Sequence, residues 1–206
     1  MGRYLGPVCK LCRREGEKLF LKGSRCESPK CSVVKRAFPP GKSAAVRKKQ
    51  SEYGIRLREK QKAKRFYGLS EKQFKNMYDR AVLKKGIKGE NFLRSLELRF
   101  DNVITRLGLA SSHNQARTLI RHGHFMINNV KVDIPSYELK EKFVISINEK
   151  SKPQFLGALE SISKKKLANW LAFDISKQEG IITKEPVRVE MDVPVNERLI
   201  VEYYSR

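Results

Sequence analysis

Positive charge is the property that most restricts what this chain can fold into. Of its 206 residues, 44 are Lys or Arg and 22 are Asp or Glu, a formal net charge of +22. The excess is lopsided: residues 1–100 hold 28 basic and 9 acidic side chains, whereas residues 101–206 hold 16 and 13. Self-repulsion on that scale opposes compaction unless carboxylates or an external polyanion neutralise it. Nucleic acid is the usual polyanion, and an acidic membrane is its rival. A hydrophobic content of 40% suffices for a real core in one or two domains, so a disordered basic tail does not describe the whole chain. No apolar run nears the roughly 20 residues that span a bilayer, and the opening MGRYLGPVCK lacks the apolar centre of a secretion signal. The expectation is a cytoplasmic protein that meets nucleic acid and no membrane.

Thiols stay reduced in that compartment, which changes the meaning of the four cysteines. Cys9-x2-Cys12 and Cys26-x4-Cys31 are two close pairs with thirteen residues between them. Each pair can turn two thiolates toward one point, and four thiolates suit tetrahedral zinc. Lys10, Arg13, Arg14, Lys22, Arg25 and Lys30 flank them, offsetting the charge of a metal tetrathiolate and favouring deprotonated sulfur. The expected cofactor is one Zn2+, with an iron–sulfur cluster as the alternative for the same ligand set. A catalytic metal is not expected, because four thiolates leave no open coordination position.

The first segment, to about Ser43, is punctuated by Gly and Pro and reads as an irregular, metal-stapled arm. Helical patterns follow. Ser51 caps a basic helix running to a stop at Gly68, and Ser70 with Gln73 forms a capping box that opens a helix ending near Gly86. Phe92, Leu93, Leu96, Phe100, Val103, Ile104 and Leu107 make an apolar stripe at helical spacing. Ser112 with Gln115 is a second candidate capping box, for a short helix closed by Gly123. The pattern then turns to period two around Asn128-Asn129, a hairpin turn, with Phe143 to Ile147 as a further strand. A helix from about Pro153 to Lys166 and strands at Leu171–Ile175, Val187–Met191 and Leu199–Tyr204 complete the reading.

Two stretches have the makeup of a nucleic-acid surface. Arg47, Lys48 and Lys49 continue into Arg56, Arg58, Lys60, Lys62, Lys64 and Arg65, with Tyr53, Phe66 and Tyr67 interleaved. Cations on a helix neutralise phosphates, and neighbouring aromatics either stack on bases or, as favoured for Phe66, pack inward. The second stretch is Ser111 to His124, followed by the Asn128-Asn129 hairpin. Its helix start offers free backbone N–H groups to phosphate, and Arg117 and Arg121, one turn apart, are expected on one face beside it. His122 and His124 are candidates either for RNA contact or for closing the helix end.

At these residues the chain resembles a known family. Ala110 to Asn128 (ASSHNQARTLIRHGHFMIN) resembles the RNA-binding module named after bacterial small-subunit ribosomal protein S-four. The resemblance to that ribosomal family extends over nearly the whole chain: Gly2 to Gly16 (GRYLGPVCKLCRREG), Tyr53 to Lys62 (YGIRLREKQK), Leu96 to Val103 (LELRFDNV) and Pro194 to Ser205 (PVNERLIVEYYS). The cysteines match the family's metal-binding branch. The resemblance implies an α+β fold: a metal-bound arm over residues 1–43, a helical rRNA-binding domain over 44–90 completed by 195–206, and the module with its sheet extension over 91–194. It implies a structural constituent of the small ribosomal subunit that binds rRNA early, nucleates assembly of the subunit body and contributes to translational accuracy. The implied partners are small-subunit rRNA, ribosomal protein five of the same subunit, and messenger RNA where it enters. The implied RNA contacts are Arg3, Lys10, Arg13 and Arg14, the basic stretch from Arg47 to Arg65, and Ser112, Asn114, Gln115, Arg117 and Arg121. Three departures stand out. His113 replaces a commonly basic residue, Asn129 a turn glycine, and the sequence from Gly41 to Ala45 departs from the family's Gly-Gln-His-Gly.

The same module occurs on RNA-modifying enzymes. An enzyme would need a further domain for its chemistry, and neither a P-loop, a dinucleotide fingerprint nor a nucleophile–base set is present in the sequence. A zinc-containing DNA regulator would need a recognition helix reading base edges, and none is apparent. The expectation is a non-enzyme.

Overall fold

The computed structural model describes residues 4–41, 50–163 and 167–205. Three short helices form the amino-terminal arm, α1 (Cys9–Glu15), α2 (Ser24–Glu27) and α3 (Ser32–Lys35). Then come α4 (Glu52–Phe66), α5 (Glu71–Val82), α6 (Lys88–Glu97), α7 (Phe100–Arg106) and α8 (His113–Arg121). Strands β1 (Phe125–Ile127), β2 (Val130–Lys131) and β3 (Val144–Ile147) precede α9 (Leu156–Ser163). The chain closes with β4 (Leu171–Asp174), β5 (Glu179–Ile182) and α10 (Glu197–Tyr204). The contacts divide into two compact units, residues 1–92 with 193–206 and residues 93–192. The fold class is α+β, as expected.

In the first unit α4 is the hub, packed by α10 and α1. Ser51 caps it, its hydroxyl accepting from the Gly54 N–H at 3.2 Å. The expected Ser70–Gln73 capping box is present on α5, although that helix ends at Val82, short of Gly86. Phe74, Tyr78 and Ala81 recur at helical spacing, so α5 buries one face. Phe74 and Tyr78 meet Phe92 edge-on, at 5.0 and 5.5 Å between ring centroids, and Tyr78 stacks on Tyr204 at 4.5 Å. The carboxyl-terminal segment, expected as a strand, is the helix α10. Asn196 caps it by accepting from the Arg198 N–H, and Ile200 is fully buried. Its run of Leu, Ile, Val and Tyr favours strands only weakly when packing asks otherwise. The arm, expected to be irregular, holds helices of four to seven residues.

In the second unit the sheet order is β2-β1-β3-β5-β4, every pair antiparallel. Asn128 and Asn129 take φ of 47° and 65°, the left-handed pair that a two-residue hairpin requires. Strand β5 was overlooked because Gly180 weakens its signal. The glycine has a packing reason: a Cβ there would stand 2.7 Å from Leu107 Cδ1. The expected strand at Val187–Met191 is a single 3-10 turn over Arg188–Glu190. Pro186 just before it lacks an N–H for a ladder, and Val189 faces out. The helix expected from Pro153 to Lys166 begins as a 3-10 segment, Glu149–Phe155, and becomes α-helical only after Pro153; Lys166 lies outside the described residues. The apolar stripe runs over two helices, α6 and α7, broken at Leu98–Arg99, where Arg99 bridges to Glu138. Its seven residues are all fully buried.

Beneath α8 lies a layer of buried charge. Arg99 grips Asp101 with two bonds, Nε to Oδ1 at 3.0 Å and Nη2 to Oδ2 at 2.9 Å, and Arg117 adds Nε to Oδ2 at 2.7 Å. Arg106 similarly grips Glu97 at 3.1 and 3.0 Å and reaches the Asp192 carbonyl. Asn102 joins the two groups: its amide donates to the Glu97 side chain and carbonyl, and its Oδ1 lies 3.0 Å from His113 Nε2. The two arginines hold the Asp101 carboxyl below its usual value despite its burial. Burial pushes His113 down to about 4, so the ring is neutral at pH 7.

A sign follows for stability. Below pH 6.5 the unfolded chain protonates His113 while the folded ring stays neutral to about pH 4, so stability falls with acidification across that window, by at most about 1.4 kcal/mol per pH unit. Asp101 acts in the same direction, its contribution being lost as pH falls through the carboxylate range. Urea unfolding at pH 7 and pH 4.5 should show wild type losing about 2 kcal/mol more than His113→Gln. Equal losses would exclude a neutral, shielded ring.

Candidate nucleic-acid interface

In the second unit a polar surface is built at the start of α8. The Ser112 hydroxyl accepts from the Gln115 N–H at 3.4 Å. The reciprocal half of the expected capping box is displaced by one residue: Gln115 Oε1 accepts from the Ser111 N–H and hydroxyl, at 2.8 and 2.7 Å. Ser111, the first residue of the expected stretch, therefore helps to shape this corner. Asn114, Gln115, Thr118, Arg121 and His122 are exposed along the helix, whereas Ala116 and Ile120 enter the core. Gly123 closes α8 with φ of 73°, and a Cβ there would run into the Lys131 side chain, which the hairpin lays against the helix end. Lys131 is a residue the sequence reading overlooked; only the β1–β2 register could have revealed it.

Arg117 is not beside Arg121 on the surface. It is buried against Asp101, at odds with the expected phosphate contact; positions four apart differ by about 40° around a helix, and the buried Asp101 carboxylate holds Arg117 on the inward side. Arg121 is exposed. His124 is partly buried, its Nδ1 2.8 Å from Ser151 Oγ, and its ring stacks at 6.0 Å on that of His122. Burial lowers its pKa.

In the first unit the basic helix differs from the expected free cationic face. Arg56 pairs with Glu202 and Glu52, Arg58 with Glu15, and Lys60 with Glu71. Lys62 pairs with Glu59 and Glu17, Lys64 with Glu71, and Arg65 with Glu15. Lys60 is itself buried. These cations staple α4 to the arm, α5 and α10, and a phosphate would have to compete with carboxylates already in place. Tyr53 is half exposed, tilted against Tyr203 at 5.8 Å; Phe66 and Tyr67 are buried. Arg3, Arg47, Lys48 and Lys49 lie outside the described residues. In the arm Lys10 is exposed. Arg13 donates to the Phe38 carbonyl at 3.0 Å with its guanidinium 5.0 Å from that ring, and Arg14 donates to the Pro40 carbonyl at 3.1 Å. Both tether the loop over residues 38–40.

Cys12, Cys26 and Cys31 are buried, Cys9 partly so, and none is in a disulfide. The Lys22 N–H donates to Cys26 Sγ at 3.4 Å, and the Leu19 amide donates to Cys12. Burial pushes the Cys12 and Cys26 thiols up, and the neighbouring sulfurs add to the rise. Among the described residues no three Cys, His, Asp or Glu side chains are gathered into a closed ligand set. The donor chemistry still suits a soft metal: four thiols, close enough to feel one another's charge, with amide N–H groups aimed at two of them.

A small antiparallel sheet with a capped helix and a hairpin, attached to a basic helical unit, defines an S4-domain protein. The sequence profile of the "Ribosomal protein S4/S9 N-terminal domain" matches residues 3–97, and that of the "S4 domain" matches residues 98–145. The "Small ribosomal subunit protein uS4A" of Clostridium perfringens is 52% identical over 206 residues, the whole of both chains. Proteins called "Small ribosomal subunit protein uS4" from Acetivibrio thermocellus and Thermus thermophilus are 50% and 49% identical, again over the full length of each. The chain belongs to the uS4 family of ribosomal proteins, a family of structural proteins rather than enzymes. Among the described residues no helix is long and apolar enough to cross a membrane.

The two arginines of α8 separate by burial, which a pair of variants tests. Arg117→Ala leaves Asp101 with one partner fewer in a buried site and should cost about 3 kcal/mol in urea unfolding. Arg121→Ala should change stability by less than about 0.5 kcal/mol while weakening RNA binding in a filter assay. The reverse ordering of stabilities would refute the assignment.

Proposed function

We propose that this chain is an rRNA-binding structural constituent of the small ribosomal subunit in the cytoplasm, and that it binds early, holding RNA helices of the subunit body in place for later proteins. The observation that supports it best is the exposed row of Asn114, Gln115 and Arg121 on α8, capped by the half-buried Ser112 and beside the Asn128-Asn129 hairpin. The helix start supplies free N–H groups and partial positive charge, Arg121 and Lys131 supply cations, and the buried ion layer fixes their spacing. Shaped RNA is the ligand such a rigid polar corner fits, since RNA is read through backbone and form. Full-length likeness to proteins named for the small subunit points the same way. Translational accuracy, contact with ribosomal protein five and proximity to incoming messenger RNA belong to the same reading. They rest on the family resemblance.

Competition binding tests the core of it. Small-subunit rRNA should outcompete duplex DNA at matched salt, and affinity should fall by about 10³–10⁵-fold between roughly 50 and 200 mM salt if about six to ten phosphates are contacted. Equal affinity for DNA, or a flat salt response, would refute it.

The cofactor reading is that Cys9, Cys12, Cys26 and Cys31 hold one Zn2+. The ion would neutralise sulfurs that burial otherwise keeps protonated, and tie α1, α2 and the start of α3 together. Elemental analysis of purified protein should return about one zinc per chain. Iron with sulfide and visible absorption would identify a cluster instead, and folded metal-free protein would reject both.

A further inference from the structure

We propose, on the metal reading above, that Cys9 is a modification site for soft electrophiles, the thiolate through which such a reagent opens the Cys9, Cys12, Cys26 and Cys31 set. Spacing treats the four sulfurs alike. The fold makes them unequal in two independent ways.

The first is access. Cys12, Cys26 and Cys31 are 6%, 8% and 7% exposed, whereas Cys9 is only partly buried. Cys9 opens α1, and residues 4–7 before it are all exposed, so no buried segment leads into it. A thiol reacts only as fast as a reagent can reach it.

The second is hydrogen bonding. The Leu19 amide donates to Cys12, and the Lys22 N–H donates to Cys26 Sγ at 3.4 Å, one donor for each cysteine pair. Among the described residues no hydrogen bond reaches the sulfur of Cys9 or Cys31. An N–H aimed at a thiolate draws charge from it and weakens it as a nucleophile. Both donors come from the loop over residues 17–23, anchored by the fully buried Leu19. Phe20 in that loop takes φ of 50°, a left-handed conformation that a bulky L side chain resists, and its side chain is half exposed. Packing of the Phe20 ring therefore does not explain the turn; the two N–H···S bonds on either side of it do. Cys31 lacks a donor but is buried. Cys9 alone lacks both protections.

The step needs no oxidant. With a Michael acceptor, the Cys9 sulfur forms a bond to the β-carbon, while the alkene π pair moves to the α-carbon, which takes a proton from water and leaves hydroxide. The sulfur lone pair given to a metal is then spent on carbon, so Cys9 gives up that bond and becomes an uncharged thioether. Cys12, Cys26 and Cys31 remain as thiolates, and three ligands leave a coordination position open. The tie at the start of α1 is lost first.

The experiment treats the full chain, as purified, with a limiting amount of N-ethylmaleimide. Peptide mass spectrometry follows each cysteine, and a colorimetric chelator follows released metal. Cys9 should be labelled about 10-fold or more faster than Cys12, Cys26 or Cys31, with metal appearing in step with it. Four cysteines labelled at one rate, or Cys26 or Cys31 ahead of Cys9, would overturn the proposal and leave a metal-loaded chain's metal reading intact. Cys9 labelled with all metal retained would overturn the opening step. Folded protein that carries no metal would defeat the metal reading, and Cys9 leading the labelling there would still uphold the site.

Discussion

Asp101 sits almost wholly out of water between two guanidinium groups, and the geometry of the second unit depends on that arrangement. A lone buried carboxylate would be neutralised or expelled; here Arg99 on one side and Arg117 on the other keep it charged. Because Arg117 projects from α8 and Asp101 from α7, the ion pair fixes the seating of one helix on the other. Asn102 extends the constraint to Glu97, Arg106 and His113. Charge pairs of this kind add little net stability against an apolar core, yet each has only a few satisfying geometries. Their value here is positional: they set where Ser112, Asn114 and Arg121 stand relative to the hairpin.

The same logic divides the chain's basic residues into two populations. One is internal: the cations of α4, although numerous and contiguous in sequence, are matched by Glu15, Glu17, Glu52, Glu59, Glu71 and Glu202 from four elements and the adjoining loop. The other is external: among the described residues Lys72, Lys75 and Arg80 stand without an ion pair on the outer face of α5, and further cations are exposed in the arm and at the end of α8. Charge density along the chain and charge availability at the surface are thus different quantities. A basic run signals affinity for a polyanion only where the fold leaves it unmatched.

Much of the local architecture was legible. The caps at Ser51, Ser70 and Ser112, the stop at Gly123 and the Asn128-Asn129 turn are short-range devices whose atoms lie within a few residues of one another. The misreadings were long-range. Leu199–Tyr204 is apolar enough for either period, and only α4 alongside makes it a helix. Val187–Met191 has strand composition but pairs with no strand among the described residues. Gly180 hides β5, since its requirement comes from Leu107, far off in sequence.

The site was divided in the same way. Composition and spacing alone pointed to a polyanion-binding chain with paired cysteines and a capped helix before a hairpin, because net charge, capping and turn chemistry are properties of neighbours along the backbone. The α+β fold and the structural role came with the family resemblance. Packing decided that Arg117 turns inward and Arg121 outward, that Lys60 is covered, and that Lys72, Lys75 and Arg80 are left without carboxylates. Such outcomes depend on which distant side chain is brought within about 4 Å, and no reading of one stretch contains its partner.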